Sequence, residues 1–321
     1  MRMPASSVDS HQRLMIRVAR MYHEHGIKQP QIAQQLHVSQ AKVSRLLKRA
    51  EELGIVRVTI EVPPGGFTDL EEALIGRYGL ADAVVAEASS SAEADVITAI
   101  GAAAAAYLDD VLLSQERIGI SSWSATLLAM VSRMTPRARP VAESVTQVLG
   151  GVGIPRAQVQ ATQLTEELAR ITGGTPQFLT APGLVSSAAL SSAILAEPYV
   201  VPVVKEWSRL TVLLAGIGSL EPSPLLRESG NAIPLEEQDL LRGLGAVGDV
   251  CLTFFDAEGA EVTSDIGTRV VGIPPAVLRT VPRRVGVAGG ERKHGAIRSA
   301  LLGGWVNVLV TDTETAHALL S

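Results

Sequence analysis

The stretch from residue 29 to 50 constrains the fold more than any other, because it holds two short amphipathic segments with only a few residues between them. The apolar residues at helical spacing are Ile32, Ala33 and Leu36 in the first segment and Val43, Leu46 and Leu47 in the second. Between the segments, Val38 can fill the angle and Ser39 can cap the second helix by accepting an unpaired backbone N–H. The spacing therefore predicts two short helices joined by a tight turn, a helix-turn-helix.

Polar and basic side chains fall on the outward face of this predicted unit. They are of the kinds that contact base edges and phosphates in the major groove of DNA. The candidate DNA contacts are Gln29, Gln31, Ser39, Gln40, Lys42, Ser44, Arg45, Lys48 and Arg49. The plainer alternative is a solvated helix face, since short amphipathic helix pairs with basic outer surfaces are common.

Three neighbouring features favour DNA binding over that alternative. The segment 14–25 predicts a third helix for the same core, with the apolar stripe Leu14, Val18, Met21 and Tyr22. Residues 54–62 alternate as a strand does and suit a wing. Residues 1–60 carry ten Lys and Arg against four Asp and Glu, a net charge of +6, so the remainder of a chain of net charge −5 carries −11. A basic head on an acidic body is suited to the neutralisation of phosphates.

After residue 80, short apolar runs alternate with helical segments. Strands are predicted at residues 83–86, 118–120, 144–149, 176–179, 210–215, 248–255, 285–290 and 306–311. Helices are predicted at residues 93–113, 127–134, 158–172, 187–196 and 293–302, and another, capped by Thr68 or Asp69, ends at Gly79. Near-continuous apolar strands between helices indicate a parallel sheet covered on both faces. The sequence therefore predicts an α/β protein, in which a winged helix-turn-helix precedes a Rossmann-like, mostly parallel three-layer domain.

Composition and length exclude several classes of protein. The chain of 321 residues is long enough for a small domain and a large one. Nothing near its start resembles a signal peptide, and its longest apolar stretch, residues 99–108, is too short to cross a membrane. The single cysteine, Cys251, excludes an internal disulfide and has apolar neighbours, which predicts a core residue. None of the six histidines has a metal-ligand spacing. We expect a cytoplasmic protein without a metal, a cofactor or a membrane partner.

Small polar residues follow several of the predicted strands. Ser121, Ser122, Ser124 and Thr126 lie at a strand-to-helix junction, where N–H groups and hydroxyls can hold a phosphate or sugar hydroxyls, although a serine there can also simply cap the helix. Glycines recur at the strand ends 150–151, 216–218 and 289–290, which favours a ligand site at the carboxyl edge of the sheet. No glycine loop matches a Walker A or dinucleotide-binding fingerprint.

Two charged residues are candidates for contacts with a ligand. Lys293, just beyond the glycines at 289–290, would place a positive charge at the same edge, suited to an anionic ligand, or it is a surface lysine. Asp249 could accept hydrogen bonds from sugar hydroxyls or only order its own loop. No Ser/His/Asp motif of a known hydrolase is present, so the sequence gives catalysis little support.

The order and spacing of these motifs resemble the SorC family of bacterial sugar-responsive transcription regulators over nearly the whole chain. The matching stretches are 31–33 through 53–56, 119–121 with Trp123, 150–151, 181–182, 216–219, 245–249, 255–256 with Gly259, 287–290 with Lys293, and 307–312. The resemblance implies a winged-helix head and an effector domain similar to sugar-phosphate isomerases and glucosamine-phosphate deaminases. It also implies a dimer or tetramer that binds a double-stranded DNA operator, with an affinity that changes when the protein binds a sugar, polyol or sugar phosphate.

By position, the resemblance implies an effector site at Ser121, Ser122, Trp123, Ser124, Thr126, Gly150, Gly151, Gln160, Gly216, Gly218, Asp249 and Lys293. Two features depart from the family pattern. Leu149 stands where members that hold sugar phosphates often have an arginine, and one extra serine precedes Trp123. An apolar Leu149 favours a free sugar, a polyol or a monophosphate over a doubly phosphorylated ligand.

The predicted domains are a DNA-binding head at 1–62, a linker at 63–67, and an effector and oligomerisation domain at 68–321. Two other hypotheses stand beside a regulator. A sugar-phosphate isomerase or deaminase fused to a DNA-binding head would need a general acid and base, and Asp249 has no obvious histidine partner. A constitutive DNA-binding protein whose large domain only oligomerises would not need glycine and hydroxyl residues at its strand ends.

Overall fold

The structure of the protein is a computed structural model, and it describes residues 10–56, 66–121, 123–151, 155–221 and 233–321. The chain divides into two units, Met1–Pro63 and Pro64–Ser321. The described part of the first unit consists of α1 (Ser10–His23), α2 (Gln29–Gln35) and α3 (Gln40–Glu52). These bounds confirm the helix-turn-helix and the helix before it, while the wing predicted at 54–62 lies mostly outside the described residues.

A small apolar core holds the three helices of the first unit together. Val18, Ile32 and Val43, one from each helix, are fully buried in it, and Val38 packs against it from the turn. Ser39 caps α3 as predicted, since its Oγ accepts the Lys42 N–H at 3.2 Å. Val18 and Met21 of the stripe predicted for α1 are buried, but the prediction that Tyr22 belongs to the core is wrong, because Tyr22 is 39% exposed.

The second unit alternates strands and helices along the chain. Its first half contains α4 (Thr68–Tyr78), β1 (Asp82–Ala86), α5 (Glu93–Val111), β2 (Glu116–Ile120), α6 (Ala125–Val131), β3 (Ala142–Gln147), α7 (Pro155–Thr172), β4 (Thr175–Gln177), α8 (Ala188–Leu195), α9 (Val201–Trp207), β5 (Val212–Ala215) and β6 (Gly218–Ser219). Its second half contains α10 (Leu235–Gly243), β7 (Gly248–Val250), β8 (Thr253–Phe255), α11 (Asp265–Thr268), α12 (Pro275–Leu278), β9 (Arg283–Val287), a 3₁₀ turn (Glu291–Lys293), α13 (His294–Leu302), β10 (Val308–Asp312) and α14 (Thr313–Leu320).

Seven of the strands form one sheet in the order β1-β10-β9-β5-β2-β3-β4, and every neighbouring pair is parallel. Alternate residues of a strand point to opposite faces. Accordingly Val212 and Leu214 of β5 belong to one buried apolar cluster, while Leu213 and Ala215 belong to another. Both faces of the sheet are therefore covered, which confirms the predicted parallel three-layer architecture.

The prediction of a single strand at residues 248–255 is wrong. These residues form the hairpin β7–β8, which pairs antiparallel with β6 in a separate three-stranded sheet. The chain reverses because Cys251 and Leu252 adopt φ angles of 54° and 60°, as in a type I′ hairpin turn. Such angles are uncommon for residues other than glycine and rarer still for a bulky side chain, so the sequence carried no turn signal here.

Two smaller predictions also need correction. Neither Thr68 nor Asp69 caps α4, because both lie inside the helix, which begins at Thr68. Phe67 occupies the capping position and makes no side-chain hydrogen bond there. Residues 201–207 form α9, a helix that begins at a proline-containing turn and that was not predicted. Gly79 does end α4, with a φ of 66°. None of the helices within the described ranges is both long enough and apolar enough to cross a membrane.

Candidate ligand pocket and nucleic-acid interface

A cavity of about 300 Å³ opens at the carboxyl edge of the parallel sheet. Ser121 follows β2, Gly216 follows β5, and the 3₁₀ turn after β9 supplies Lys293. Because the carboxyl ends of parallel strands meet at one edge, these separate stretches share one site. The predicted residues that line the cavity are Ser121, Trp123, Ser124, Thr126, Gly216, Gly218, Asp249 and Lys293.

Two hydroxyls of the strand-to-helix junction, those of Ser124 and Thr126, are already engaged with each other and with the backbone. Thr126 Oγ1 donates to the Val287 carbonyl at 2.8 Å and lies 2.8 Å from Ser124 Oγ. Since Thr126 uses its proton on the carbonyl, Ser124 must donate to Thr126, and Ser124 Oγ also accepts the Leu127 N–H. These two hydroxyls therefore have no proton left for a ligand and can only accept from one.

The glycine pair at 150–151 lies behind the cavity wall and does not line the cavity. The indole N–H of Trp123 donates to the Gly150 carbonyl at 3.3 Å. A Cβ on Gly151 would lie 2.2 Å from the Trp123 ring, so only glycine leaves room for the indole. The role that the geometry supports for this pair is to seat Trp123, which itself faces the cavity.

Asp249 lines the cavity from the hairpin β7–β8. Its Oδ2 accepts the Leu252 N–H at 2.9 Å, which holds the strained turn, so both roles considered for Asp249 are compatible with its position. Burial raises the pKa of this carboxyl to about 6, although the Leu252 hydrogen bond and the charge of Lys293 oppose the shift. Residue 218 must be a glycine to leave room for this carboxyl, because a Cβ there would lie 2.1 Å from Asp249 Oδ1.

Lys293 faces the cavity as a cation without a close counter-ion. Burial lowers the pKa of its ammonium group, and the neighbouring Arg292 lowers it further, while Glu93 and Asp249 oppose this. Within the described parts of the chain, Lys293 makes no ion pair to a carboxylate within 4 Å. Arg292, by contrast, pairs with Glu93 at 2.9 Å. Among the described residues that line the cavity, Lys293 is therefore the basic side chain that has no carboxylate partner.

Several lining residues escaped prediction. They are Ser91, Glu93, Val96, Ile97, Ser219, Glu221, Cys251, Leu252, Glu291 and Arg292. Ser91 and Glu93 follow β1, and only the order of strands shows that β1 lies beside β10 and so brings them to this edge. Cys251 is buried as predicted, yet it also faces the cavity. Ser122 and the side chain of Gln160 lie outside what the structure describes.

The described part of the chain gives no sign of a metal site at this pocket. Among the described residues, no group of three His, Cys, Asp or Glu side chains is placed to hold a metal ion. Burial and the nearby Asp249 charge raise the pKa of the Cys251 thiol to about 12, so Cys251 stays protonated at neutral pH.

The candidate DNA surface lies on the first unit. Lys42, Arg45 and Lys48 are exposed on α3, whose opposite face is buried. The Ser39 hydroxyl oxygen accepts the Lys42 N–H in the α3 cap, and the Arg49 guanidinium forms an ion pair with Glu52 at 2.9 Å. The other candidates, Gln31, Gln40 and Ser44, are exposed, while Gln29 is half-buried.

Comparison with known proteins gives consistent matches. The Sugar-bind family model, which describes a sugar-binding domain, matches residues 62–321. The sorbitol operon regulator of Klebsiella pneumoniae is 30% identical over 312 residues, which cover 96% of this chain and 98% of the regulator. The deoxyribonucleoside regulator of Bacillus subtilis is 30% identical over 310 residues, which cover 97% of this chain and 98% of that regulator. The crystal structure of the full-length Klebsiella regulator superposes with a TM-score of 0.72 over 96% of this chain and 99% of that one, at 30% identity.

Proposed function

Because the chain belongs to the SorC family of sugar-binding transcriptional regulators, we propose that its head binds an operator and that a small carbohydrate in the pocket sets the affinity for that operator. The observation that carries the proposal is the cavity at the carboxyl edge of the sheet, which combines a carboxylate, a free ammonium group and hydroxyls in one small space. It lies within the residues that the sugar-binding family model matches.

The chemistry of the cavity favours a ligand rich in hydroxyls. Ser124 and Thr126 can only accept, and Asp249 also accepts when it is ionised, so the ligand is expected to supply donors. Sugar and polyol hydroxyls are such donors. A volume of about 300 Å³ is at the small end of ligand pockets, which suits one pentose, hexose or polyol.

The charge of the cavity limits how many anionic groups the ligand carries. Lys293 is the one lining cation in the described residues that is not paired with a carboxylate, and Leu149 adds an apolar surface. One phosphate can pair with Lys293, whereas a second would meet no free cation. We therefore infer a free sugar, a polyol or a monophosphate as the effector, held by the predicted residues that line the cavity together with Glu93 and Arg292.

The head is inferred to read DNA through α3. Lys42, Arg45 and Lys48 present side chains that can reach phosphates and base edges if α3 enters the major groove. Residues 1–62 form the DNA-binding domain in this proposal, residues 63–67 the linker, and residues 68–321 the effector domain. A cytoplasmic location follows from this role in a bacterial regulator.

Homo-oligomerisation is part of the proposal. Leu235 and Leu240 of helix α10 and Leu244 directly after its end are 75%, 52% and 47% exposed. Exposed leucines grouped on one helix favour burial against another chain, here a second copy. Light scattering at several protein concentrations would show a dimer or tetramer, and a monomer at every concentration would contradict it.

An enzyme of the sugar-phosphate isomerase or deaminase type is the other hypothesis, and the relatives argue against it because they are named as regulators. The cavity gives it little chemical support. Asp249, the candidate base, already accepts the Leu252 N–H, and no histidine is among the described residues that line the cavity.

Thermal unfolding of the full chain tests effector binding directly. Matched pairs of compounds should be compared: D-sorbitol with D-sorbitol 6-phosphate, D-ribose with D-ribose 5-phosphate, and D-fructose with D-fructose 1,6-bisphosphate. A ligand that binds only the folded state raises the free energy of unfolding, by about 2.7 kcal/mol at a ligand concentration of 100 Kd, and so raises the midpoint. A shift with a free or singly phosphorylated member supports the proposal. A shift with the bisphosphate alone would contradict the charge argument.

A further inference from the structure

The loop that carries Lys293 into the cavity is tied to the end of the neighbouring strand. The backbone N–H of Gly290 lies 2.9 Å from Asp312 Oδ2 and 2.9 Å from Thr315 Oγ1. Thr315 in turn donates its hydroxyl to Asp312 Oδ2 at 2.6 Å and its N–H to Asp312 Oδ1 at 2.8 Å. The Gly290 N–H therefore serves this internal contact and is not available to a ligand.

The two glycines of this loop are explained by the same contact. A Cβ on Gly289 would lie 2.1 Å from Asp312 Oδ2. Gly290 has φ 91° and ψ 148°, a conformation that is close to exclusive to glycine. Both positions thus let the carboxylate of Asp312 approach the backbone, and Asp312 and Thr315 are themselves buried. The carboxylate and the loop therefore hold each other in one arrangement.

Asp312 also caps the helix that begins at Thr313. Helix α14 has eight residues, so it is about 12 Å long. At its far end, the Leu319 carbonyl accepts the hydroxyl of Tyr78 at 2.7 Å, and Arg77 donates to the Leu320 and Ser321 carbonyls. Tyr78 and Arg77 are the last residues of α4.

Helix α4 is the first described element of the second unit, and residues 63–67, the proposed linker, precede it in the chain. Its Leu74 is fully buried in the same apolar cluster as Ala316 and Leu319 of α14. A continuous set of hydrogen bonds and packed side chains therefore runs from the Lys293 loop, through α14, to the helix that follows the linker. The bonds of Asp312, Thr315 and Tyr78 join buried or half-buried groups, whereas those of Arg77 are exposed.

We propose that Asp312 and Thr315 are positioning residues that fix the Lys293 loop and that α14 transmits the position of this loop to α4. This inference rests on the proposed function, because it assigns the route by which an occupied pocket changes the head. When a ligand draws Lys293 and its loop, the bonds to Asp312 and Thr315 shift the start of α14, and the bonds at its end shift α4. Neither residue touches the ligand in this scheme.

Backbone amide exchange of the full chain, without any carbohydrate, tests the route. Thr315→Val removes the hydroxyl that bridges Gly290 and Asp312 but keeps the side-chain shape. Thr311→Val is the matched control, since Thr311 is also fully buried and lies one residue before Asp312, and its Oγ1 has no hydrogen-bond partner among the described residues. Tyr78→Phe removes the buried end of the route, the bond to the Leu319 carbonyl, and leaves the exposed Arg77 bonds in place. Strand β2, which takes no part, is the internal reference.

Thr315→Val should speed exchange about fivefold in the loop 288–293, in α14 and in α4, the factor expected for one lost hydrogen bond. Thr311→Val should leave all three at the wild-type rate. Tyr78→Phe should speed exchange in α4 and, through α14, in the loop. Faster exchange in the loop with α4 at the control rate would overturn the transmission, and so would a Tyr78→Phe effect confined to α4.

The failure of this route and the failure of the proposed function give different results. If no compound shifts the midpoint of the wild type, effector binding fails whatever the exchange data show. If D-sorbitol 6-phosphate or another compound shifts the midpoint equally in wild type and Tyr78→Phe while the exchange in α4 and in the loop proves independent, the pocket stands and the route through α14 is wrong.

Discussion

Replacing Gly151 by alanine should displace the Trp123 indole from the wall of the ligand cavity. The added Cβ would lie 2.2–2.3 Å from three ring atoms of Trp123, whereas carbon atoms in contact are about 3.5–4.0 Å apart. The backbone of Gly151 cannot easily retreat, because its N–H is bonded to the Ala181 carbonyl at 2.8 Å. The indole must therefore move by more than 1 Å, on the order of the overlap between these distances.

The cost follows from what that movement breaks. Overpacking of a buried site costs about 1–3 kcal/mol, and loss of the indole bond to the Gly150 carbonyl adds about 1 kcal/mol. We expect Gly151→Ala to be less stable than wild type by about 2–4 kcal/mol, which lowers the midpoint of thermal unfolding by about 4–12 °C. Trp123 should also become more exposed, so its emission should move to longer wavelength.

The matched control is Gly76→Ala in the interior of α4, where a Cβ would meet no atom within 4 Å. That change should stabilise the protein by about 0.5–1 kcal/mol, because alanine forms helices better than glycine. Circular dichroism and tryptophan emission, recorded during heating, measure both variants. A Gly151→Ala midpoint within about 1 °C of wild type would refute the assignment of this glycine as the seat of Trp123.

Three further predictions concern DNA, charge and pH. Arg45→Ala should weaken operator binding by about 1–3 kcal/mol if Arg45 reads a base edge, and the gel-shift control Arg20→Ala on α1 should not. Lys293→Met should abolish the thermal shift with D-sorbitol 6-phosphate but keep any shift with D-sorbitol, and equal loss of both would count against an anion contact. Because burial raises the folded-state pKa of Asp249 from 3.8 to about 6, its favourable contribution to stability is fully present below about pH 3.8 and is lost as the pH rises to about 6. Denaturant unfolding should show this loss, on the order of 3 kcal/mol, in wild type and not in Asp249→Asn, and parallel pH profiles would contradict it.

Much of the fold follows from periodicity. The helix-turn-helix and most strands of the parallel sheet were predictable because each has a local apolar pattern. The capping role of Ser39 was predictable because the cap is a hydrogen bond to a residue three positions away. The hairpin at 248–255 was not, since its turn uses Cys251 and Leu252 at angles that neither residue type signals. The three-stranded sheet also depends on pairing with Gly218 and Ser219, which are distant in sequence.

The pocket was predictable in part for a similar reason. Ser121, Asp249 and Lys293 each carry chemistry at a strand end, and the rule that strand ends meet brought them together. The placement of Glu93 needed the strand order, because within the described residues β1 joins the sheet through β10. The sequence marks the glycines at 150–151 and 289–290 as parts of a ligand site, and of these two pairs the structure places the second on the cavity wall. Both pairs also allow a close contact, since Gly151 leaves room for Trp123 and Gly289 leaves room for Asp312. A glycine marks a close approach without saying which group approaches.

The central claim is that a carbohydrate in the pocket changes the affinity of the head for DNA. The most direct measurement is the affinity of the full chain for a duplex selected by the protein itself from a random pool, with and without each compound that shifts its thermal midpoint. The account predicts that at least one such compound changes the apparent Kd by about 5–150-fold, the range of ordinary coupling energies. A compound that binds the folded protein and leaves the Kd for the duplex unchanged would contradict the account.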